Sequence, residues 1–442
     1  MSATTTTSAE GVTRDIYGML TGDEDARVCK DIPDESCNDQ PQNFLLHLVA
    51  LALTKTADAF INPKLVLPWL LSALGAPAAF TGLLVPLRES LALVPQMVVA
   101  GFIRLAPIRK WFWVGGAIGQ AAAVAGMALV AASLSGAAAG WSIIGLLTVF
   151  ALSRGVCSVA SKDVMGKTVS KTRRGRVSGY ASSVSGALAL ALGLWLAMTD
   201  LADQSIGFFV GLLAVAAGLW LLAAGVYTRI GEAAGATEGG GNAIEEALRQ
   251  LRLLRTDKAL RDFILVRAAL MASALVAPFY VALAQKSGAG SLGDLGLLVI
   301  ASGLASFLSA PIWGGFADRS TRKLLAVAGG LAGILGVIVI AAVSWGLVEA
   351  AGSFFFPAVI FMLAIAHQGI RLGRKTHLVD MATQDNRATY VALSNTVIGI
   401  LLLAGGVFGL LAQAAGELMV IGVLSAFALA GGLGALALDE VQ

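Results

Sequence analysis

The feature that most constrains this chain is an apolar stretch of about twenty residues that returns twelve times between residues 44 and 438. A helix rising 1.5 Å per residue needs about 20 residues to cross a ~30 Å hydrocarbon layer. It also satisfies its own backbone polar groups where no water can. The stretches span roughly 44–71, 77–103, 111–134, 141–165, 177–199, 205–228, 262–285, 293–316, 324–346, 353–373, 388–412 and 416–438. Only 13% of residues are charged and 57% are hydrophobic, well below the charged share of about a quarter in soluble domains. No run alternates polarity over roughly 10 residues as a transmembrane barrel strand would. The chain therefore reads as an all-α polytopic membrane protein.

The connections sort into two sets. "RLAPIRK", "KTVSKTRRGR", the stretch 229–261, "DRSTRK" and "RLGRKTHLVDMATQDNR" follow the even-numbered segments and are basic. "SALGAPAA", "SLSGAAAG", "TDLADQS" and "VEAAGS" follow odd-numbered ones and hold no Lys or Arg; Lys286 is the exception on that side. The positive-inside rule places both termini and the basic loops in the cytoplasm, so the protein is expected in the cytoplasmic (inner) membrane. Residues 1–42 read as a polar cytoplasmic tail. The pair Cys29 and Cys37 within it makes a poor metal site, and a disulfide there would require an oxidising compartment.

Between the sixth and seventh segments, a Gly-rich linker precedes Ile244, Leu248, Leu251 and Leu254 at helical spacing with basic residues between them. This pattern predicts an amphipathic helix on the inner membrane surface. It divides the chain into segments 43–228 and 262–442, each with six apolar stretches. The halves repeat weakly. "GFIRLAPIRKW" from Gly101 and "GGFADRSTRKL" from Gly314 align on Arg109-Lys110 and Arg322-Lys323. "KTRRGRVSGYASS" and "ATQDNRATYVALS" place Arg176 and Arg387 at the starts of the following segments. Internal repeats of this kind are common in secondary transporters.

"GGFADRSTRK" resembles the loop motif of the major facilitator superfamily, carried here by Gly314, Asp318, Arg319, Arg322 and Lys323, with Thr321 where that family has glycine. The resemblance covers residues 43 to 438 and implies twelve transmembrane helices in two pseudo-symmetric six-helix bundles. It also implies that Asp318 and its basic neighbours, with Arg176 and Arg387, form a cytoplasmic latch. The first-half copy has Leu105 and Ala106 where the motif has aspartate and arginine. The fifth segment, "VSGYASSVSGALALALGLWLAM", has no proline, and the fourth lacks Arg-x-x-Gln-Gly, so two marks of drug/proton antiporters are missing.

Charge at membrane depth is costly and is normally kept for a cavity or a partner. At 1.5 Å per residue, Lys55 and Asp58 lie about 16 and 21 Å from one side, and Arg88 and Glu89 about 15 to 17 Å from the other. Arg88 and Glu89 are sequence neighbours about 100° apart on a helix, so they are not expected to satisfy each other. Arg88 is expected to pair with Asp58 and Glu89 with Lys55, or one member stays unpaired and titrates. The four make either a coupling site or a structural clamp. Arg154, about 18 Å deep, contacts either an anionic substrate or one of these carboxylates. His367 and Gln368 are candidates for the second-half cavity wall, whereas Lys162-Asp163 and Arg374-Lys375 are expected to snorkel to the interface. The third, sixth, ninth and twelfth segments carry no charge in their centres, while Arg267 and the His367 to Arg371 group lie in the seventh and tenth.

No phosphate-cradling Gly-x-x-x-x-Gly-Lys-Ser/Thr loop is present, and three unclustered histidines suggest no metal. No cofactor, nucleic-acid partner or enzyme activity is expected. The expectation is a monomeric secondary transporter, coupled to protons, for a small polar or anionic solute, with uptake favoured. The alternatives are a drug or metabolite exporter of the same fold, and a non-transporting scaffold or assembly factor.

Overall fold

The computed structural model describes residues 3–21, 32, 34–94, 96, 99, 102–103, 105–198, 206–235, 237, 253–288, 291–317, 319–382 and 387–441. Among them there is no strand. The principal helices are α1 (Ala3–Thr21), α2 (Asp34–Phe60), α3 (Val66–Ala73), α4 (Ala78–Leu93), α5 (Lys110–Ser133), α6 (Gly136–Thr168), α7 (Lys171–Met198) and α8 (Ile206–Thr228). After the linker come α9 (Lys258–Leu270), α10 (Ala277–Lys286), α11 (Leu292–Ala317), α12 (Thr321–Ser344), α13 (Phe355–Asp380), α14 (Arg387–Ala404), α15 (Val407–Ala415) and α16 (Glu417–Leu436). Ten spans among the described residues are long and apolar enough to cross a membrane. Residues 238–250, which include Ile244 and Leu248 of the expected surface helix, lie outside the described ones, as does Leu251.

Three expected continuous helices are broken, one of them the eleventh, predicted over 388–412 and interrupted between α14 and α15. The first, predicted over 44–71, stops at Phe60 and resumes as α3. Pro63 has no N–H to donate. Instead the Asn62 side chain accepts from the Lys64 N–H at 2.9 Å, and its carbonyl accepts from Val66 and Leu67 at 2.9 and 3.0 Å. The seventh, predicted over 262–285, divides into α9, a turn at Ala272–Leu275 and α10, with Pro278 in the first turn of α10. The N-terminal segment is also no loose tail. Tyr17 on α1 meets the Phe44 ring edge-on at 5.3 Å and lies 4.7 Å from the Arg173 guanidinium, and Gln40 donates to its hydroxyl at 2.6 Å.

The packing repeats between the halves. α2 packs on α7 and α8, α4 on α6, and α5 on α6 and α8. In the second half α9 packs on α14 and α16, α11 on α13, and α12 on α13 and α16. Each pairing of the first half thus has its counterpart at the same place in the order of the second. Between halves, α4 lies along α14 and α15, and α7 along α11.

Glycines set these crossings, as is usual where helices have no hydrophobic drive to associate in lipid and rely on close packing. A Cβ on Gly82 would stand 2.3 Å from the Cα of Gly409, and one on Gly409 only 2.2 Å from the Ala79 carbonyl oxygen. Gly193 on α7 and Gly296 on α11 make the matching approach. All four lie toward the face that bears the neutral loops. Toward the face bearing the basic loops, Ser182, Ser183 and Val184 on α7 are all exposed, as are Ser306, Phe307 and Leu308 on α11. The close backbone approaches of Gly82 with Gly409 and of Gly193 with Gly296 both lie at the neutral face.

Candidate functional site

A cavity of about 250 Å³ lies between the halves, lined from the first by Asp58, Lys64, Arg88 and Glu89 and from the second by Ser273, His367, Gln368 and Arg371. The chain break after α2 puts Lys64 here. Without Asn62-Pro63, a continuous helix would carry this side chain elsewhere.

Asp58 is held by two guanidinium groups. Arg88 Nη2 donates to Oδ1 at 3.0 Å, and Arg154 Nη1 reaches both carboxylate oxygens from α6. Arg88 Nη1 donates to Glu89 Oε1 at 3.0 Å, contrary to the expectation that these neighbours cannot meet. The angle between Cβ directions is real, but the guanidinium fork reaches past it: one nitrogen turns to Asp58 and the other back to Glu89. Phe150 lies 5.9 Å below the guanidinium, so the fork is fixed from three sides. The expected pair of Glu89 with Lys55 does not form. Lys55 points to α7 and donates to the Ser178 carbonyl at 3.2 Å and to Ser182 Oγ, because α2 packs on α7 on that side. Arg154 therefore stands on the carboxylate branch of its two expected fates.

The two carboxylates differ in setting. Asp58 has 16% of its side chain exposed and two cationic donors, whereas Glu89 has 43% exposed and one. Asp58 is the anchor of the group. Glu89 opens to the cavity.

Opposite them, Lys64 Nζ lies 3.0 Å from His367 Nε2, and His367 Nδ1 lies 3.1 Å from Ser273 Oγ. Ser273 Oγ donates to the Leu270 carbonyl at 2.9 Å. An ammonium only donates, so Nε2 carries the lone pair and Nδ1 the proton, which it donates to the serine. Every proton in the chain Lys64, His367, Ser273, Leu270 is thereby placed. The first link joins the two halves. Among the described residues, no ion pair does. Gln368 Nε2 donates to Ser306 Oγ at 3.4 Å.

At the basic face, Arg322 Nε donates to Glu440 Oε2 at 2.8 Å, and Ser320, the N-cap of α12, donates to the same carboxylate at 2.9 Å. Glu232 does the equivalent work in the first half. It accepts from the backbone N–H groups of Arg109 and Lys110 at the start of α5 and from Lys167 at 2.9 Å, while Arg109 and Lys167 both bind Asp163. Asp163 is thus networked and does not snorkel. Arg176 donates to the Thr21 carbonyl. Gly314 lines a second cavity, Lys323 N–H is capped by Ser320 at 3.4 Å, and Arg319 is exposed. Asp318 lies outside the described residues, as does the Arg387 side chain.

Lys64, Ser273, Glu232 and Glu440 went unnoticed in the sequence. "INPKL" carried a signal for the first, because Asn-Pro within an apolar run marks a break and a charge beside a mid-membrane break has a cavity to face.

No family model and no curated protein matches the chain. Solved structures do. A POT family transporter in complex with 5-aminolevulinic acid superposes with a TM-score of 0.68 at 13% identity, covering 93% of this chain and 99% of that one. A D-xylose-proton symporter gives 0.66 at 12% identity over 90% and 98%, and the nucleoside transporter NupG gives 0.62 at 12% over 90% and 98%. These proteins are transporters, and the chain shares their fold.

Proposed function

We propose that this chain is a secondary active transporter of twelve membrane-crossing helices in two bundles of six, 43–228 and 262–442, joined by the linker 229–261. It works by alternating access, is coupled to protons and moves a small anionic solute across the cytoplasmic membrane, with both termini inside. The observation that carries the reading is the central cavity. It is shared by both halves, and a titratable group from each lines it: Glu89 from the first, His367 from the second. One of the similar structures is a proton symporter, which agrees.

In this reading Asp58 is the fixed point of the cluster, since Arg154 and Arg88 hold it together. When Glu89 takes a proton it gives up its charge, and Arg88 Nη1 is released toward the cavity while Nη2 stays on Asp58. A solute carboxylate or phosphate then takes the place of Glu89. His367 acts on the other wall. Protonated imidazole has two donors and no acceptor, so it cannot receive the Lys64 ammonium, and the tie between the halves opens. Proton uptake is thereby linked to solute binding at Arg88 and to rocking of the halves. Arg109, Asp163, Glu232, Arg322 and Glu440 stiffen the basic ends so that each half moves as a body.

The test is solute flux into proteoliposomes under an imposed pH gradient. An anionic solute that accumulates with an inward proton gradient, and fails to do so in Glu89→Gln, supports the reading. Flux indifferent to the gradient in wild type and variant alike would remove proton coupling.

A further inference from the structure

A wider cavity of about 700 Å³ opens on the basic side of the second half, and the mechanism above does not use it. We propose that it is a second, separate binding station for a phosphate- or carboxylate-bearing anion, anchored by Arg267 and set between the central cavity and the basic face. Its role on the path rests on the transporter reading. The site itself does not.

Arg267 on α9 is only 7% exposed. Its Nη1 donates to Ser394 Oγ at 2.6 Å and its Nη2 to Asn395 Oδ1 at 2.9 Å, both on α14. Its Nε is buried with no hydrogen-bond partner. A guanidinium more than nine-tenths buried is therefore met by two neutral acceptors and no carboxylate, although burying a charge without a counterion is costly. Arg88 and Arg109, which are just as buried, each meet an aspartate.

The neighbouring wall adds charge of the same sign. Arg371, Arg374 and Lys375 stand at i, i+3 and i+4 on α13, hence on one helix face, where like charges repel. No carboxylate is among the described residues that line the cavity. Arg371 also faces the carboxylates of the central cavity, but Arg267, Arg374 and Lys375 have no carboxylate among the described residues of this wall, an arrangement that an anion completes. Guanidinium forks suit the planar or tetrahedral oxygens of carboxylate and phosphate. The apolar wall of Trp313, Leu372 and Leu378 lowers the local dielectric and strengthens the attraction.

The place of the station follows from its edges. Ser306, Gln368 and Arg371 line both this cavity and the central one. An anion leaving Arg88 passes Arg371 and reaches Arg267 without crossing an apolar gap. Arg374 and Lys375, expected to snorkel, are here the outer lip.

The same chemistry fits a free anion or an anionic lipid headgroup, and the experiment separates them. The full-length chain is placed in nanodiscs of zwitterionic phosphatidylcholine and titrated calorimetrically with inorganic phosphate and with succinate. Saturable binding of at least one is expected, weakened tenfold or more in Arg267→Gln and in Arg374→Gln. Lys286→Gln, which removes a charge at the opposite face, should leave it unchanged. If Arg267→Gln does not fold, Arg374→Gln at the partly exposed lip carries the test. Repeating the titration with phosphatidylglycerol in the disc identifies the source: a tenfold loss of phosphate affinity there means a headgroup competes for the same station, and an unchanged affinity means the station serves free anions. Absence of saturable binding in the zwitterionic disc, or binding in both arginine variants equal to that of the wild type, overturns the station. Wild-type binding with no flux of any anion would instead overturn the transporter reading and leave the station standing.

Discussion

Lys64 and His367 meet at 3.0 Å where the two halves of the chain face each other, and with the lysine as an ammonium, which can only donate, the imidazole is the acceptor. The contact exists only while His367 Nε2 is free of a proton. One proton thus decides whether the halves are tied at this point.

Replacing His367 with glutamine keeps an acceptor for Lys64 and removes the titration. We expect His367→Gln to transport slowly and with a pH profile flatter than that of the wild type. His367→Ala, which removes the tie, should be equally flat but not slowed. Proteoliposome flux at stepped pH checks this. A profile in His367→Gln as steep as that of the wild type would discard the coupling role.

Asp58 and Arg154 should differ in what they cost. Asp58→Asn leaves two guanidinium groups, Arg88 and Arg154, directed at one uncharged side chain, and removing one member of a buried ion pair costs about 3–5 kcal/mol. Arg154→Gln leaves Asp58 with Arg88, and with 35% of the arginine side chain exposed the loss should be about 1 kcal/mol. Thermal unfolding of the two variants in the same detergent gives the order. Equal losses would mean that Asp58 is not the shared anchor.

The carboxylates of the basic face offer a matched comparison. Glu232 lies four residues beyond α8, which ends at Thr228, and Glu440 four beyond α16, which ends at Leu436. Each binds the start of the third apolar helix of its half. The Glu232 side chain is fully buried, so Glu232→Ala orphans two backbone N–H groups and should cost about 2 kcal/mol. Glu440→Ala should cost less, because Arg322 is partly open to water and no backbone N–H depends on this carboxylate. Hydrogen exchange should show lost protection at the start of α5 in the first variant and a smaller loss at the start of α12 in the second.

Alanine at position 409 should change the conformation and spare the fold. Its methyl group would enter the space of the Ala79 carbonyl, and overpacking of this kind costs about 1–3 kcal/mol, levied only while the neutral face is closed. Gly409→Ala is expected to open that face. Paired spin labels at the neutral ends of α4 and α15 would report longer distances, with those across the basic face shortened.

The helical plan was legible because apolar length and the placement of Lys and Arg are imposed by the bilayer and not by neighbours. Observed bounds such as 110–133 and 292–317 lie close to the expected 111–134 and 293–316. Partners were legible only where geometry left one choice. Depth placed Asp58 and Arg88 at one level, and they do meet. Depth also set Lys55 beside Glu89, but which helix α2 faces is decided by packing, and Lys55 faces α7. The neighbour rule failed for Arg88 and Glu89 because it follows Cβ directions and ignores the span of a guanidinium. Arg374 and Lys375 looked like interface residues because a linear sequence does not reveal that the second half forms a cavity beside them.

The glycine crossing at Gly82 and Gly409 has one more consequence. Closure of the neutral face rests on contact between bare backbones, and no ion pair among the described residues joins the halves there, the Lys286–Glu417 pair lying within the second half. Dispersion contacts are nearly indifferent to dissolved salt, whereas clustered cations are screened by it within about 8–10 Å at physiological strength. Raising ionic strength should therefore leave one side of the transport cycle untouched and slow or speed only the steps on the other. A salt titration of flux, run separately in each direction, becomes a way to tell which face limits the turnover.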